Sequence, residues 1–167
     1  PQNFDGVFRG TVRAREALQL SLNLPVVALV DAFGPARLMT RLRRAGVETR
    51  VTGGQAGLAV ALGGVGVRLE DLVGLYAGIA RGGTALTLSA LPGQAGATGQ
   101  RVLSEEAAWH VADILSGMPP PPGAARMGLA YKTGTSYGHR DAWALGFDGR
   151  HVAGVWLGRP DGTPVPG

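Results

Sequence analysis

LAYKTGTSYGHRDAWALGF, running from Leu129 to Phe147, is the stretch on which the architecture turns. It breaks into two segments rich in Tyr, Thr and Trp, Leu129–Tyr137 and Asp141–Phe147, joined by a tight Gly-containing turn over Tyr137–Arg140. β-Branched and aromatic residues around such a turn predict an antiparallel hairpin. A third segment, His151–Leu157, follows across Asp148-Gly149-Arg150 and extends the pair to a three-strand meander.

Upstream of this stretch the period changes from two to about three and a half. Leu69, Leu72, Val73, Tyr76 and Ala80 mark an amphipathic helix over Arg68–Ala80, ended by Gly82-Gly83. Ser104 followed by Glu105 and Glu106 starts another, running to about Gly117, since a hydroxyl caps orphan N–H groups and acids favour the positive end. Earlier helices are expected over Val12–Leu20, capped by Thr11, over Pro25–Ala32, and from Gly34-Pro35 to about Ala45. Residues 1–10 and the Gly-rich Val47–Gly66 read as irregular, Thr84–Leu91 as holding a short strand, and Met118–Gly123 as a proline linker. Helices first and strands last give an α+β fold: a helical layer packed on an antiparallel sheet, of which the last three strands are present. No internal repeat is visible.

The bulk composition narrows the function. With 167 residues, 45% hydrophobic and 17% charged, the chain is one domain able to bury a core. The formal net charge of +4 makes nucleic acid a partner to weigh. Arg37, Arg41 and Arg44, however, share an ordinary solvated helix face with no aromatic residues between them for base stacking, so no nucleic-acid partner is expected. There is no Cys, and His110, His139 and His151 lack ligand spacing, so neither a metal nor another cofactor is expected. No apolar run reaches the ~20 residues of a transmembrane span.

The opening stretch also holds the only lysine of an arginine-rich chain, Lys132, followed by Thr133, Gly134 and Thr135. Lys on a strand can simply guard an edge against pairing. Ser21-Leu22-Asn23, at a helix-to-helix corner, can simply cap a helix. Together and in this order, the two motifs resemble the second and third signatures of the penicillin-binding protein transpeptidases and their serine β-lactamase relatives. The likeness spreads along nearly the whole chain. ALQLSLNLPVVALV resembles the second-motif region of class A members, and LGGVGVRLEDLVGLYAGIARGG resembles their helix ending in a Gly-Gly stretch. SYGHRDAW and GRPDGTP are similar to the penicillin-binding protein 1C branch.

The resemblance implies a β-lactamase/transpeptidase-like fold and a peptidoglycan DD-transpeptidase, which cross-links stem peptides by serine acyl transfer and is acylated by β-lactams. It implies Ser21, Asn23 and Lys132 as catalytic residues, and Thr133, Gly134 and Thr135 as the grip on substrate. Lys132 would place a compact ammonium, able to lose a proton, near Ser21 and the substrate carboxylate, which the broad guanidinium of Arg could not do. Ser21 would relay a proton, and Asn23 would hold a substrate amide. The two threonine hydroxyls would donate to the carboxylate, the backbone N–H of Thr135 would serve the oxyanion, and Gly134 would let a peptide lie against the strand edge. Trp143 reads as packing, and Asp141 as paired with Arg140 or the turn backbone.

One signature is missing. The family nucleophile is a Ser three residues before a Lys, and Leu129 stands three residues before Lys132. Residues 1–167 are therefore expected to be the C-terminal portion of a single transpeptidase domain, inactive alone. The parent would be periplasmic, held in the inner membrane by an upstream anchor. Its last sheet edge would be left open to self-association. A β-lactamase or DD-carboxypeptidase relative, and a non-catalytic penicillin-recognition or sensor module, stand as alternatives.

Overall fold

The computed structural model describes residues 2–3, 5–51, 53–91, 93–94, 98–125, 128–136 and 138–165. Parts of the expected N-terminal loop (Pro1, Phe4), Gly-rich segment (Thr52), central strand–linker region and hairpin turn (Tyr137), and the Pro166-Gly167 end, lie outside the described residues.

The meander forms as expected. β3 (Ala130–Thr135), β4 (Asp141–Phe147) and β5 (Val152–Gly158) make a three-stranded antiparallel sheet in the order β3-β4-β5. The register pairs Lys132 with Leu145 and Leu145 with Gly154, so these three positions form one row on one face. Helices α4 (Leu69–Ala80) and α5 (Glu105–Ser116) cover that face. A Cβ placed at Gly154 would stand 2.7 Å from Val73 Cγ2 and 3.0 Å from Leu69 Cδ1, so the missing side chain is what lets α4 settle onto β5. Leu115, Ala130 and Phe147 are buried at this junction, with Leu18, Tyr76, Ile79 and Val152 packed around them. The opposite face of β5 leaves Val155 and Leu157 exposed, and among the described strands the outer edges of β3 and β5 are unpaired.

The remaining helices are α1 (Ala14–Gln19), α2 (Asn23–Phe33) and α3 (Pro35–Arg44). α2 and α3 enclose a separate small core of Val30, Met39 and Val60. α5 begins as its sequence predicts, with Ser104 Oγ accepting from the backbone N–H of Ala107 at 3.2 Å.

Four expectations need correction. α1 starts two residues later than Thr11 would cap it, at Arg13, whose side chain makes no capping bond. α2 starts two residues earlier than expected, at Asn23, because Pro25 falls within the first turn, where a missing N–H costs no intrahelical bond. The segment 84–91 yields only β1 (Thr84–Leu86), which pairs with an unforeseen β2 (Thr98–Arg101). Thr-Gly-Gln-Arg carries no apolar alternation, and β2 is defined by its pairing with β1, where a Cβ placed at Gly99 would stand 3.0 Å from the Ala85 carbonyl oxygen. The Gly-rich stretch is also more ordered than its composition suggests, with one 3-10 helix over Leu58–Leu62 that buries Val60.

Candidate active site

The corner between α1 and α2 is placed from the sheet outward. α1 has only six residues, too few to hold a helix by propensity alone. Tertiary contacts fix it: Leu18 packs into the core under α5, the Gln19 amide donates to the Ile114 carbonyl at 2.8 Å, and Arg15 pairs with Asp113. The helix then ends two residues before Ser21, the residue that meets Lys132.

The way it ends is informative. The N–H of Ser21 donates to the Leu18 carbonyl at 3.2 Å, and the N–H of Leu22 to the Ala17 carbonyl at 2.9 Å. This double bond pattern terminates helices through one left-handed residue, a place usually taken by glycine. Here that residue is Ser21, at φ 54°, and Leu22 behind it is buried. Among the described residues only His139 shares a positive φ without being glycine. Backbone strain of this kind clusters at functional sites.

Ser21 Oγ accepts a hydrogen bond from Lys132 Nζ, 111 positions away in sequence. The same ammonium donates to the Thr133 carbonyl at 2.7 Å. Lys132 lies on the helix-facing side of β3, in the row with Leu145 and Gly154, and partial burial holds its pKa below that of a free lysine. An ammonium against a hydroxyl in a half-desolvated setting has the chemistry to exchange a proton.

Thr133, Gly134 and Thr135 continue along the exposed edge of β3. A Cβ at Gly134 would meet nothing within 4 Å, so open space lies beside the strand at the point where the resemblance puts a ligand. Trp143 stands across from Gly134, half-buried, with its ring 6.1 Å from that of Trp156 and tilted 46° to it. Asp141 has the structural role expected of it but a different partner: it accepts from the Trp156 indole at 2.8 Å. Asn23 is brought to the corner as the first residue of α2, where its side-chain amide donates to the Gln2 carbonyl at 2.8 Å; its described hydrogen bonds do not include Lys132. A separate concavity of about 380 Å³, between α5 and the β4–β5 turn, contains none of these residues. Its carboxylates are already engaged, Asp113 with Arg15 and Asp148 with the backbone N–H groups of its own turn.

Across its whole length the chain is 44% identical to penicillin-binding protein 1C of Escherichia coli. The chain is homologous to the class A penicillin-binding proteins. Penicillin-binding protein 1B of Vibrio cholerae matches 99% of it at 30% identity. The chain spans 22% and 23% of the lengths of these two relatives. No family model matches.

Solved structures agree on the fold. Penicillin-binding protein 1A of Haemophilus influenzae superposes on 97% of this chain with a TM-score of 0.79 at 19% identity, using 32% of its own chain. Penicillin-binding protein A of M. tuberculosis, solved as an imipenem acyl-enzyme complex, covers 87% with a TM-score of 0.70 at 22% identity, over 41% of its own chain. The α+β, β-lactamase-like architecture expected from the sequence is the architecture present, and the chain is a relative of penicillin-binding transpeptidase domains. Among the described residues no helix is long and apolar enough to cross a membrane.

The sequence reading did not single out Gln19, Arg15, Asn3 or Gln2, although each fixes the corner. Their partners lie on other elements, and no local spacing announces them.

Proposed function

We propose that residues 1–167 form the C-terminal portion of a single DD-transpeptidase domain that cross-links peptidoglycan stem peptides by serine acyl transfer and is acylated by β-lactams. The observation that carries this reading is the Lys132 ammonium set against the Ser21 hydroxyl between a helix corner and an exposed strand edge. In the reaction a serine oxygen bonds to the penultimate carbonyl carbon, the peptide C–N bond breaks, and terminal D-Ala leaves as an amine that takes up a proton. An amine of a second stem peptide then accepts the acyl group.

The residues divide the work by their chemistry. Lys132 supplies positive charge and, with Ser21, a route for the proton to the leaving nitrogen. Thr133 and Thr135 donate hydroxyls to the terminal carboxylate, and the open space at Gly134 admits the peptide as an added strand on β3. The Thr135 N–H supplies one oxyanion donor, and Asn23 holds the substrate amide. The nucleophile comes from outside these residues, since the chain holds no Ser-x-x-Lys. The assembled protein works on the periplasmic side of an inner membrane that anchors it, and the open edge of β5 pairs with further strands or with a second copy.

Labelling with a fluorescent penicillin tests the reading. The 167-residue chain should stay unlabelled, and a protein joining it to the segment that bears the nucleophile should label covalently. Lys132→Ala in that protein should slow labelling by at least about tenfold, as loss of one positioned acid–base group does. Labelling at an undiminished rate would remove Lys132 from the chemistry. Failure of the joined protein to label would favour the recognition-module alternative.

A further inference from the structure

Asn3 is the only polar residue buried among those described, at 6% exposure. A buried carboxamide is costly unless all its groups are bonded, and both of its ends are used. Its Nδ2 donates to the Val7 carbonyl at 2.7 Å, closing the N-terminal segment on itself. Its Oδ1 accepts from the backbone N–H of Leu24 at 3.1 Å.

Leu24 is the second residue of α2, and its N–H is one of the orphan donors at the helix start. An N-cap side chain normally takes that donor. The N-cap residue here is Leu22, which has no acceptor and is buried. Asn3 therefore caps α2 from 21 positions away. A second tie runs in the opposite direction, from the Asn23 amide to the Gln2 carbonyl. The two bonds stitch the N-terminal segment onto Asn23 and Leu24, the first two residues of α2, two and three positions after Ser21.

Ser21 sits in a left-handed conformation that costs about 1–2 kcal/mol and persists only if its neighbours hold it. On the α1 side it is held by the helix-ending bonds to Ala17 and Leu18. On the α2 side the anchor is the cap. We propose that Asn3 is a positioning residue for the Ser21–Lys132 pair: by capping α2 in trans, it fixes the corner so that the Ser21 hydroxyl meets the lysine on β3. This rests on the reading of Ser21 and Lys132 given above.

Because Lys132 is the only lysine, labelled lysine gives a single side-chain resonance in this chain. Ser21→Ala should move that resonance, since it removes the hydroxyl that the ammonium contacts. In an Asn3→Ala background most of that Ser21→Ala step should be lost, because the contact is already gone. Asn3→Leu, which fills the buried site without an acceptor, carries the same measurement if Asn3→Ala does not fold. A residue that only stabilised the fold would lower the unfolding temperature and leave the step intact. A full-sized step in a folded Asn3→Ala or Asn3→Leu chain overturns the proposal. If Ser21→Ala leaves the resonance in place in the unaltered chain, the Ser21–Lys132 reading itself fails and the proposal falls with it.

Discussion

Ser21 occupies a position where stability alone would select glycine, and two substitutions there separate the backbone from the hydroxyl. Both Ser21→Gly and Ser21→Ala delete the Oγ that accepts from Lys132, so they lose the same exposed hydrogen bond. They differ in the backbone. Alanine keeps a Cβ at φ 54° and retains the left-handed penalty of about 1–2 kcal/mol. Glycine removes that penalty but loses about 0.5–1 kcal/mol of extra freedom in the unfolded chain. The difference leaves Ser21→Gly more stable than Ser21→Ala by about 0.5–1 kcal/mol. For a chain of this length that is a separation of roughly 1–4 °C in Tm. Thermal or urea unfolding of the two variants side by side reads it directly. In the protein that carries the nucleophile, both variants should label slowly with fluorescent penicillin. Alanine matching or exceeding glycine in stability would refute the strained corner. Rapid labelling of the glycine variant would refute the idea that the hydroxyl is what keeps Ser there.

Two further outcomes follow from the sheet that carries Lys132. Gly154→Ala should destabilise the chain by about 1–3 kcal/mol, because its methyl would press on Val73 and Leu69 of α4, whereas Gly134→Ala, which meets open space, should leave unfolding unchanged and slow penicillin labelling. Equal stability losses at the two positions would contradict the packing described. In the β4–β5 turn, the backbone N–H groups of His151 and Arg150, with the His151 side chain, pull the Asp148 carboxyl from 3.8 down to about 2. A depressed carboxylate pKa stabilises the fold above the unfolded value and loses that support as pH falls from about 4 to 2. Asp148→Asn should therefore flatten the acid limb of the pH–stability curve over that window, and a limb unchanged by the substitution would show that the turn carboxylate has no part in it.

Local patterns were enough wherever an element's reason for existing lies within itself. The 3.6-residue apolar spacing from Leu69 to Tyr76 gave α4, Ser104 with two acids gave the start of α5, and the Tyr/Thr/Trp segments around tight turns gave β3, β4 and β5. The family likeness lay in two short motifs in fixed order and in the stretches around them, which is why it survived the absence of the third. Elements whose stability comes from a partner were not legible: β2 exists through β1, the 3-10 helix through the Val30–Met39 core, and α1 begins where its contacts with α5 allow.

The sequence by itself determined the residue types and their order: one ammonium, two threonine hydroxyls around a glycine on a strand, and a serine and an asparagine at a helix corner. Only the tertiary structure decided that Ser21 and Lys132 touch while the Asn23 amide turns to Gln2, and that a buried Asn3 caps α2 from 21 positions away. Backbone propensity acts over a few residues, so it can place a motif on an element. The distance between motifs 111 residues apart is set by packing, through Leu18 in the core and α4 seated on Gly154, and no spacing in the chain encodes it.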